Sequence, residues 1–292
     1  MSELGWIGCG VMGCSMAGKL LEAGHRLRVH TRTRSKARTL LDAGATWVDS
    51  PREAADGVDA VFSIVGYPED VKEIHLGPSG TLSADDAPGF LIDLTTSDPG
   101  LAVEIRDRGL ERGVVAYDAP VSGGDVGARN GSLSIMVGGD AERFDSIRPW
   151  LEPMGGTIVL QGGPGAGQKT KIVNQILVAA SMVGACEALR FTEAAGLDPR
   201  RVLESVSTGA AGSWTLSNLV PRILDGDYEP GFFVEHFVKD LGIAIRSARS
   251  LGLDLPGLEH AESLYRAMEA AGLGRKGTQA LDLHLKAASG PS

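Results

Sequence analysis

The sequence has few cysteines and no excess of positive charge, and each shortage excludes a class of protein. Its three cysteines, Cys9, Cys14 and Cys186, provide neither a disulfide framework nor a metal-ligand spacing. We therefore predict no bound metal and a reducing, cytoplasmic environment. The formal net charge of -9 leaves no basic surface for nucleic acid, which we exclude as a partner.

An export signal and a long unbroken apolar run are also missing. The amino terminus passes directly into strand-like residues, without the basic, apolar and small-residue order of a signal peptide. The longest apolar stretch, residues 172–191, is interrupted by Asn174, Gln175, Ser181, Gly184 and Glu187. This interruption predicts a buried helix of a soluble protein, with no membrane partner.

A glycine-rich motif stands at the amino end. The apolar run 4–7 leads into Gly8, Cys9, Gly10, Val11, Met12 and Gly13, a helix-like stretch follows, and a second strand is predicted at Arg26 to His30. In a βαβ unit, Gly8 makes the tight turn, Gly10 lets the backbone approach a diphosphate, and Gly13 packs helix against strand. The motif predicts a dinucleotide site; the alternative is a structural turn.

The residues after the second strand indicate which nicotinamide cofactor is bound. An acid there would bind the ribose 2′-hydroxyl, whereas an arginine accommodates a 2′-phosphate. The segment contains Thr31, Arg32 and Thr33 and no acid, so Arg32 can pair with phosphate while the threonine hydroxyls donate to it. We predict that NADP(H) is preferred and NAD(H) is possible; the alternative is a solvated basic loop that opens the next helix.

The remaining pattern predicts two domains. Short apolar runs alternate with helical stretches through residues 1–163, which indicates a doubly wound α/β sheet of the Rossmann type. The runs are Ala60 to Val65, Gly89 to Leu94, Val114 to Asp118, Ser134 to Val137 and Thr157 to Leu160. The boundary between this domain and a second one, residues 164–292, falls within a glycine-rich segment, 162–167.

The second domain is predicted to be all-helical, because residues from Gln168 onward follow a helical period. The first helix, Gln168 to Ala195, is apolar on several faces and suits a linker between domains or a subunit contact, so we expect a homo-oligomer, a dimer or a tetramer. Further helices are predicted at Asp198 to Val206, Thr215 to Ile223, Val238 to Leu251, Gly257 to Ala271 and Gly277 to Leu285.

Two polar clusters are candidates for the chemistry. Residues 118–124 end in Ser122, Gly123 and Gly124 just past a predicted strand, where backbone N–H groups and one hydroxyl suit a small carboxylate. A plain β-turn is the alternative. In the second cluster, Lys171 and Asn174 lie three residues apart on one helix face, and burying them is costly unless they are paired or used. The alternative is that Lys171 reaches solvent, as we expect of Lys169.

The whole set of motifs resembles the β-hydroxyacid dehydrogenase family, which includes 3-hydroxyisobutyrate dehydrogenase and tartronate semialdehyde reductase. Four segments carry the resemblance in order along nearly the whole chain: residues 8–13, 118–124, 165–174 with its Lys-x-x-Asn, and 239–241. Two positions depart from the commonest family form. Gln175 replaces a second asparagine, as in the tartronate semialdehyde reductase branch, and Val65 to Pro68 replaces a frequent cofactor-loop sequence.

The resemblance implies roles for individual residues. Lys171 would be catalytic, Ser122, Gly123 and Gly124 would hold the substrate carboxylate, and Asn174 would orient the substrate. Thr96, Lys239 and the loop at Val65 would contact the cofactor, together with the residues of the glycine-rich motif (Gly8, Gly10, Val11, Met12 and Gly13) and Thr31, Arg32 and Thr33.

The sequence therefore predicts an NADP(H)-preferring oxidoreductase that interconverts a short 3-hydroxy carboxylate and its semialdehyde. Hydride would move between nicotinamide and carbinol carbon, and Lys171 would exchange the hydroxyl proton. An imine reductase is one alternative, although the Lys-x-x-Asn is generally altered there. A noncatalytic NADPH-binding protein is another, and 6-phosphogluconate dehydrogenase fits poorly because its helical region is much larger.

Overall fold

In the computed structural model, residues 1–288 are described, and the chain forms two compact units. One unit spans Met1–Lys171 and the other begins at Ile172. This division lies inside a long helix, whereas the boundary that we predict, between residues 163 and 164, lies before that helix begins. The predicted boundary stays a prediction.

The first unit alternates strands and helices along the chain. The strands are β1 Glu3–Ile7, β2 Arg26–His30, β3 Thr46–Trp47, β4 Ala60–Ser63, β5 Phe90–Asp93, β6 Val115–Asp118, β7 Val121–Ser122, β8 Leu133–Gly138 and β9 Gly155–Gly162. The helices are α1 Val11–Glu22, α2 Arg38–Asp42, α3 Pro51–Ala55, α4 Pro68–Leu76, α5 Pro99–Leu110, α6 Gly124–Asn130 and α7 Phe144–Leu151, with short 3₁₀ turns at Arg34–Ala37 and Thr81–Ser83.

These strands form one sheet in the order β3-β2-β1-β4-β5-β6-β8-β7, and β9 also pairs with β8. Strands β1 to β6 are mutually parallel, β8 runs antiparallel to β6 and β7, and β9 is parallel to β8. The chain leaves β1 toward β2 on one side and returns to β4 on the other. In sheets of this kind, ligands bind outside the carboxyl ends of the strands where the order reverses.

The strands are apolar on both faces because helices cover both sides of a parallel sheet. All four residues of β4 and of β6 are buried. The largest fully buried side chain, that of Trp6, stacks on Phe62 with ring centroids 5.9 Å apart. The Rossmann-type fold predicted for this part of the chain is confirmed, and most strands begin and end within two residues of their predicted limits.

A single helix, α8 at Ala166–Ala194, begins in the first unit and continues into the second. The other helices of the second unit are α9 Pro199–Val206, α10 Trp214–Asn218, α11 Val220–Leu224, α12 Val234–Ser250, α13 Pro256–Met268 and α14 Leu281–Ala288, with a π-helical turn at Glu269–Leu273 and a 3₁₀ turn at Thr278–Ala280. The predicted helical class is confirmed.

Two predicted helices differ from the structure. The segment Thr215 to Ile223 is two short helices, broken at Leu219, because Pro221 cannot donate the hydrogen bond that would continue α10. Helix α12 begins at Val234, four residues before its predicted start, and buries Val234 and Phe237 in the core of the second unit.

Helix α8 is long and apolar enough, by length and composition alone, to cross a membrane, but only a third of its most apolar window is buried. Core helices of soluble proteins pass the same test. Val173, Leu177 and Phe191 expose more than half of their surface on this helix. The prediction of a buried helix is therefore correct for one side of α8. The prediction that this helix does not span a membrane stays a prediction.

Candidate active site

The glycine-rich turn joins β1 to α1 at the carboxyl edge of the sheet. The N–H of Gly8 donates to the carbonyl of His30 over 2.9 Å, and the backbone at Gly8 has a φ of 103°. A Cβ on Gly8 would overlap the carbonyl oxygen of Ile64, and one on Gly13 would overlap that of Gly8. These two glycines are required by close contacts within the protein.

Gly10 differs from the other two glycines, because nothing lies within 4 Å of the position that a Cβ would take. No protein atom needs a glycine here, so the open space fits a ligand that must approach the backbone closely. Gly10 is the N-cap of α1, no side chain caps the helix, and no acid lies in its first turn. The N–H groups of Val11, Met12 and Gly13 are therefore placed to receive a diphosphate.

The loop after β2 places Thr31, half-buried, beside the exposed residues Arg32 and Thr33. The guanidinium Nη1 of Arg32 donates to Oδ1 of Asp70, 3.0 Å away in the first turn of α4. The loop itself contains no acid, and Asp70 could not be expected beside Arg32 because it lies 38 residues further along the chain. The local sequence around Asp70, a proline followed by two acids, indicates the start of a helix and no contact with Arg32.

The loops after β4 and β5 are tied to each other and to the start of α8. The N–H of Val65 donates to Oγ1 of Thr95 over 3.0 Å. The side chain of Gln168 accepts the N–H of Ser97 at 2.9 Å and donates to the carbonyl of Thr95 at 2.7 Å. Gln168 thus holds the residues on both sides of Thr96, which is half-buried at the sheet edge.

A buried aspartate at the end of β6 fixes the beginning of helix α8. Asp118 accepts the N–H of Gly165 on Oδ1 and the N–H of Gln168 on Oδ2, each over 2.7 Å. Both donors belong to the first turn, whose N–H groups have no partner within the helix. Asp118 therefore caps α8 from a different element and sets the position of the residues that follow, including Lys171.

The environment of Asp118 disfavours its charge despite those two hydrogen bonds. Burial raises the pKa of the carboxyl from 3.8 to about 7, the backbone donors at Gln168 and Gly165 act in the opposite direction, and the negative charge of Asp93 adds to the rise. Asp93 is paired with Asp118 in the β5–β6 register. The sequence shows Asp118 only as an acid at the end of a predicted strand, and its hydrogen bonds with Gly165 and Gln168 were not predicted.

Asp93 is itself held by a buried chain of hydrogen bonds. Ser63 donates to Oδ1 of Asp93 over 2.8 Å, and Nε2 of His75 lies 3.0 Å from the Ser63 hydroxyl. Because Ser63 uses its proton on Asp93, Nε2 must donate to it, and Nδ1 then accepts from Thr81 over 2.9 Å. Complete burial lowers the pKa of His75 to about 3, so the ring is neutral.

Strand β7 ends in the predicted carboxylate cradle. Ser122 pairs with Ser134 of β8, and Gly123 and Gly124 have φ angles of 131° and 64°. Residues with side chains rarely adopt such angles, so the glycines allow the chain to turn sharply into α6. The turn leaves Ser122, the last residue of β7, and the two glycines that follow it partly exposed.

The Lys-x-x-Asn pair lies on successive turns of α8. Lys171 is 7% exposed, Asn174 is half-buried, and Lys169 is exposed. Residues three apart are neighbours on a helix, so Lys171 and Asn174 share one side of α8 and Lys169 does not. The burial of Lys171 does not fit the alternative in which this ammonium reaches solvent.

Within the second unit, Asn174 is part of a chain of polar side chains. Its amide donates to Oε1 of Gln175 over 2.8 Å, and Nε2 of Gln175 donates to Oδ2 of Asp240 over 2.6 Å. The ammonium of Lys239 lies 3.0 Å from the other oxygen of Asp240, which is 2% exposed. Asp240 thus links two residues that the sequence analysis selected, Asn174 and Lys239, which are 65 positions apart.

The candidate residues therefore form two sets. The glycine-rich turn, Thr31 to Thr33, Val65, Thr96 and Ser122 to Gly124 follow the carboxyl ends of strands in the first unit, and Lys171 is the last residue of that unit. Asn174 and Lys239 belong to the second unit. Within residues 1–288, no group of three His, Cys, Asp or Glu side chains is placed to hold a metal ion.

Comparison with known protein families accounts for both units. The family model for the NAD binding domain of 6-phosphogluconate dehydrogenase matches residues 3–163. The model for the NAD-binding region of NADP-dependent 3-hydroxyisobutyrate dehydrogenase matches residues 165–283. These two matches, over the Rossmann-type and the helical unit, place the chain among the nicotinamide-dinucleotide oxidoreductases.

Individual relatives cover almost the full chain. A probable 3-hydroxyisobutyrate dehydrogenase-like protein of Arabidopsis thaliana is 48% identical over 98% of this chain and 85% of its own length. The 2-hydroxy-3-oxopropionate reductase of Escherichia coli is 38% identical over 92% of each chain. The solved 3-hydroxyisobutyrate dehydrogenase of Mycobacterium tuberculosis with L-serine is 29% identical, covers 98% of this chain and 99% of its own, and has a TM-score of 0.88.

The chain belongs to the β-hydroxyacid dehydrogenase family. It is an NAD(P)-dependent hydroxyacid dehydrogenase, and the predicted class of enzyme is confirmed. A solved imine reductase from a Pseudomonas species has a TM-score of 0.66 at 17% identity, which is a likeness of fold alone.

Proposed function

We propose that this enzyme prefers NADP(H) and interconverts a short 3-hydroxy carboxylate and the corresponding semialdehyde. The hydroxy acid could be 3-hydroxyisobutyrate, or the semialdehyde could be tartronate semialdehyde. A bound nicotinamide supplies or accepts the hydride. The observation that carries the proposal is the buried Lys171, one turn into a helix whose start is fixed by Asp118. A buried ammonium is costly unless it is paired or used, and the family resemblance makes the lysine at this position the catalytic residue.

Lys171 would donate its proton to the carbonyl oxygen during reduction and take the hydroxyl proton during oxidation. The backbone N–H groups and hydroxyl of Ser122, Gly123 and Gly124 would hold the substrate carboxylate, because the turn is neutral and partly exposed. Asn174 would orient the hydroxyl-bearing carbon. Its amide is itself oriented by Gln175, which limits its rotation.

The direct test replaces Lys171 with alanine. We expect turnover to fall by about 10²- to 10⁴-fold, the usual contribution of a positioned acid-base group, with cofactor affinity nearly unchanged. NADPH and NADH oxidation would be followed with tartronate semialdehyde, methylmalonate semialdehyde, succinic semialdehyde and glyoxylate. The matched control is Lys169→Ala, since Lys169 is exposed two residues away on the same helix. Full activity in Lys171→Ala would refute the assigned role.

The preference for NADP(H) is proposed from Arg32, Thr31 and Thr33. Asp70 holds the Arg32 guanidinium through one nitrogen, so other N–H donors stay available for a 2′-phosphate. We expect Arg32→Ala to weaken NADPH binding by roughly 10- to 150-fold, as for the loss of a charged hydrogen bond of about 1.5–3 kcal/mol, with little effect on NADH. Arg38→Ala, an exposed arginine of the same segment, is the control. Equal losses for NADPH and NADH would contradict the assignment.

We propose a homo-oligomer, a dimer or a tetramer, from the exposed apolar side chains of α8, and a cytoplasmic location from the small number of cysteines. Val173, Leu177 and Phe191 would be covered by a second copy of the chain. Size-exclusion chromatography with light scattering measures the molar mass of the assembly and therefore the number of subunits. A monomer, or recovery of the protein with membranes, would contradict this part of the proposal. Tight NADPH binding without turnover of any of the four carbonyl compounds would mean that the enzyme acts on another class of substrate.

A further inference from the structure

Two cysteines, Cys9 and Cys14, flank the start of helix α1, one just before its N-cap and the other at the end of its first turn. With Gly10 as N-cap, Cys9 is the residue before the cap and Cys14 is the fourth residue of the helix. Side chains at these two positions pack against each other across the first turn. Sγ of Cys14 lies 3.4 Å from the carbonyl oxygen of Cys9, and each thiol shifts the pKa of the other.

The two thiols differ in reactivity. The neighbouring Cys9 side chain lowers the pKa of Cys14 to about 7, burial opposes this change, and the positive charge of Lys36 supports it. The same interaction, together with burial, raises the pKa of Cys9 far above its usual range. Cys14 is partly exposed and Cys9 is buried, so an oxidant meets the more acidic thiol first.

We propose that Cys9 and Cys14 form a redox modification site, at which a hydroperoxide converts the pair into an intramolecular disulfide. The Cys14 thiolate attacks the terminal O–H oxygen of the hydroperoxide and the O–O bond breaks, so that OH is transferred to sulfur as Cys14 sulfenic acid; the leaving alkoxide, or hydroxide from hydrogen peroxide, takes up a proton. The Cys9 sulfur then attacks the Cys14 sulfur. The sulfenic hydroxyl leaves with the Cys9 proton as water, so two thiols are oxidised by two electrons and the peroxide is reduced.

The modification would reach the cofactor site through two connections. The disulfide closes a ring over Gly10 to Gly13, whose backbone is placed to receive the diphosphate. It also removes the contact of 3.2 Å between Sγ of Cys14 and the carbonyl of Lys36, in the segment that follows Arg32. Oxidation should therefore weaken NADP(H) binding; this consequence, unlike the disulfide itself, rests on the proposed function.

The first experiment measures the chemistry without any substrate. The reduced full-length protein is treated with hydrogen peroxide, free thiols are alkylated, and intact mass and the peptide Met1–Lys19 are analysed. We expect the wild type and the control Cys186→Ser to lose two hydrogens and two alkylation sites in that peptide, reversibly with a thiol reductant. In Cys14→Ser, Cys9 should remain a free thiol that can still be alkylated. Sulfinic acid at Cys14 with Cys9 still free, or an equal loss of alkylation in Cys14→Ser, would overturn the proposal.

The second experiment measures NADP⁺ affinity of the reduced and oxidised wild type by titration calorimetry. We expect oxidation to weaken binding at least about tenfold, and a reductant to restore it. Reciprocity then requires saturating NADP⁺ to slow disulfide formation. A disulfide that forms and leaves the affinity unchanged would overturn the link to the cofactor. Failure of the dehydrogenase proposal would appear in Lys171→Ala and would not alter the mass measurement.

Discussion

Each unit of this protein contains a buried aspartate that positions candidate site residues, but the two aspartates bind different partners. Asp118, in the first unit, accepts two backbone N–H groups from the start of α8. Asp240, in the second unit, binds the side chains of Gln175 and Lys239. One carboxylate therefore fixes where a helix begins, and the other fixes how two side chains point.

This difference predicts different consequences of mutation. Backbone donors cannot rotate away from a lost acceptor, so removal of Asp118 should appear chiefly as lost stability. Side-chain partners can take other rotamers, so a conservative change at Asp240 should appear chiefly as lost positioning. The predictions below test that contrast, beginning with the largest expected effect.

The largest effect is expected for Asp118→Ala. This change leaves the N–H groups of Gly165 and Gln168 without an acceptor in a buried site, which should lower the free energy of unfolding by about 2–5 kcal/mol. Urea denaturation followed by circular dichroism measures the loss. The control Asp107→Ala removes an exposed acid and should change stability by about 0.5 kcal/mol or less. Equal stability of the two variants would remove the basis for the contrast.

A smaller effect, on binding, is expected for Asp240→Asn. The amide keeps an oxygen for Gln175 but turns its NH₂ toward the Lys239 ammonium, so Lys239 loses its fixed position. We expect KM for NADPH to rise about tenfold, or ~1.4 kcal/mol, while kcat changes less. Steady-state kinetics separate the two constants, and Asp254→Asn on the exposed surface is the control. A large fall in kcat with KM unchanged would argue against a positioning role toward the cofactor.

The third effect concerns the pH dependence of stability. The folded-state pKa of His75 is lowered to about 3, so the unfolded chain takes up a proton below pH 6.5 and stability falls on acidification. The folded-state pKa of Asp118 is raised to about 7, so the folded chain holds a proton that the unfolded chain releases above pH 3.8, and stability falls as the pH rises toward 7. Between about pH 4 and 6.5, the two contributions oppose each other.

Asp118→Asn removes one of these two contributions. Its stability should fall more steeply on acidification than that of the wild type, by roughly 1.4 kcal/mol per pH unit between pH 6.5 and 4. Unfolding free energies measured in urea at several pH values test this slope, with Asp107→Asn as the control. Parallel pH profiles for Asp118→Asn and the wild type would mean that Asp118 titrates alike in the folded and unfolded chain.

The sequence alone predicted the structural features that depend on residues close together along the chain. Strand Arg26–His30 has its predicted limits, and the Rossmann-type and helical classes are as expected, because alternation and helical period are local patterns. Strands β3 and β7 were missed because two residues are too few to show alternation. Helix α12 begins earlier than predicted because tertiary packing buries its first turn.

The candidate site shows the same limit. The glycine-rich turn, Ser122 to Gly124 and the Lys-x-x-Asn pair are contiguous or nearly so, and a motif can reveal them. The partners that hold them are distant in sequence: Gly165 and Gln168 lie 47 and 50 positions from Asp118, and Asp240 lies 65 positions from Gln175. Such pairings arise only when the sheet and the helices assemble, so a single sequence does not contain them in readable form.

The ion pair between Arg32 and Asp70 has a consequence for the evolution of cofactor choice. Asp70 has a second oxygen that is buried without a hydrogen-bond partner among the described residues. An acid close to the adenosine ribose is what an NAD-binding enzyme uses to hold the 2′-hydroxyl. Loss of Arg32 would therefore release a carboxylate already in the neighbourhood, so that one substitution both removes the attraction for phosphate and exposes a group that repels it. If NADP(H) is preferred as proposed, a lineage carrying this pair would need only the loss of Arg32 to shift its preference toward NAD(H).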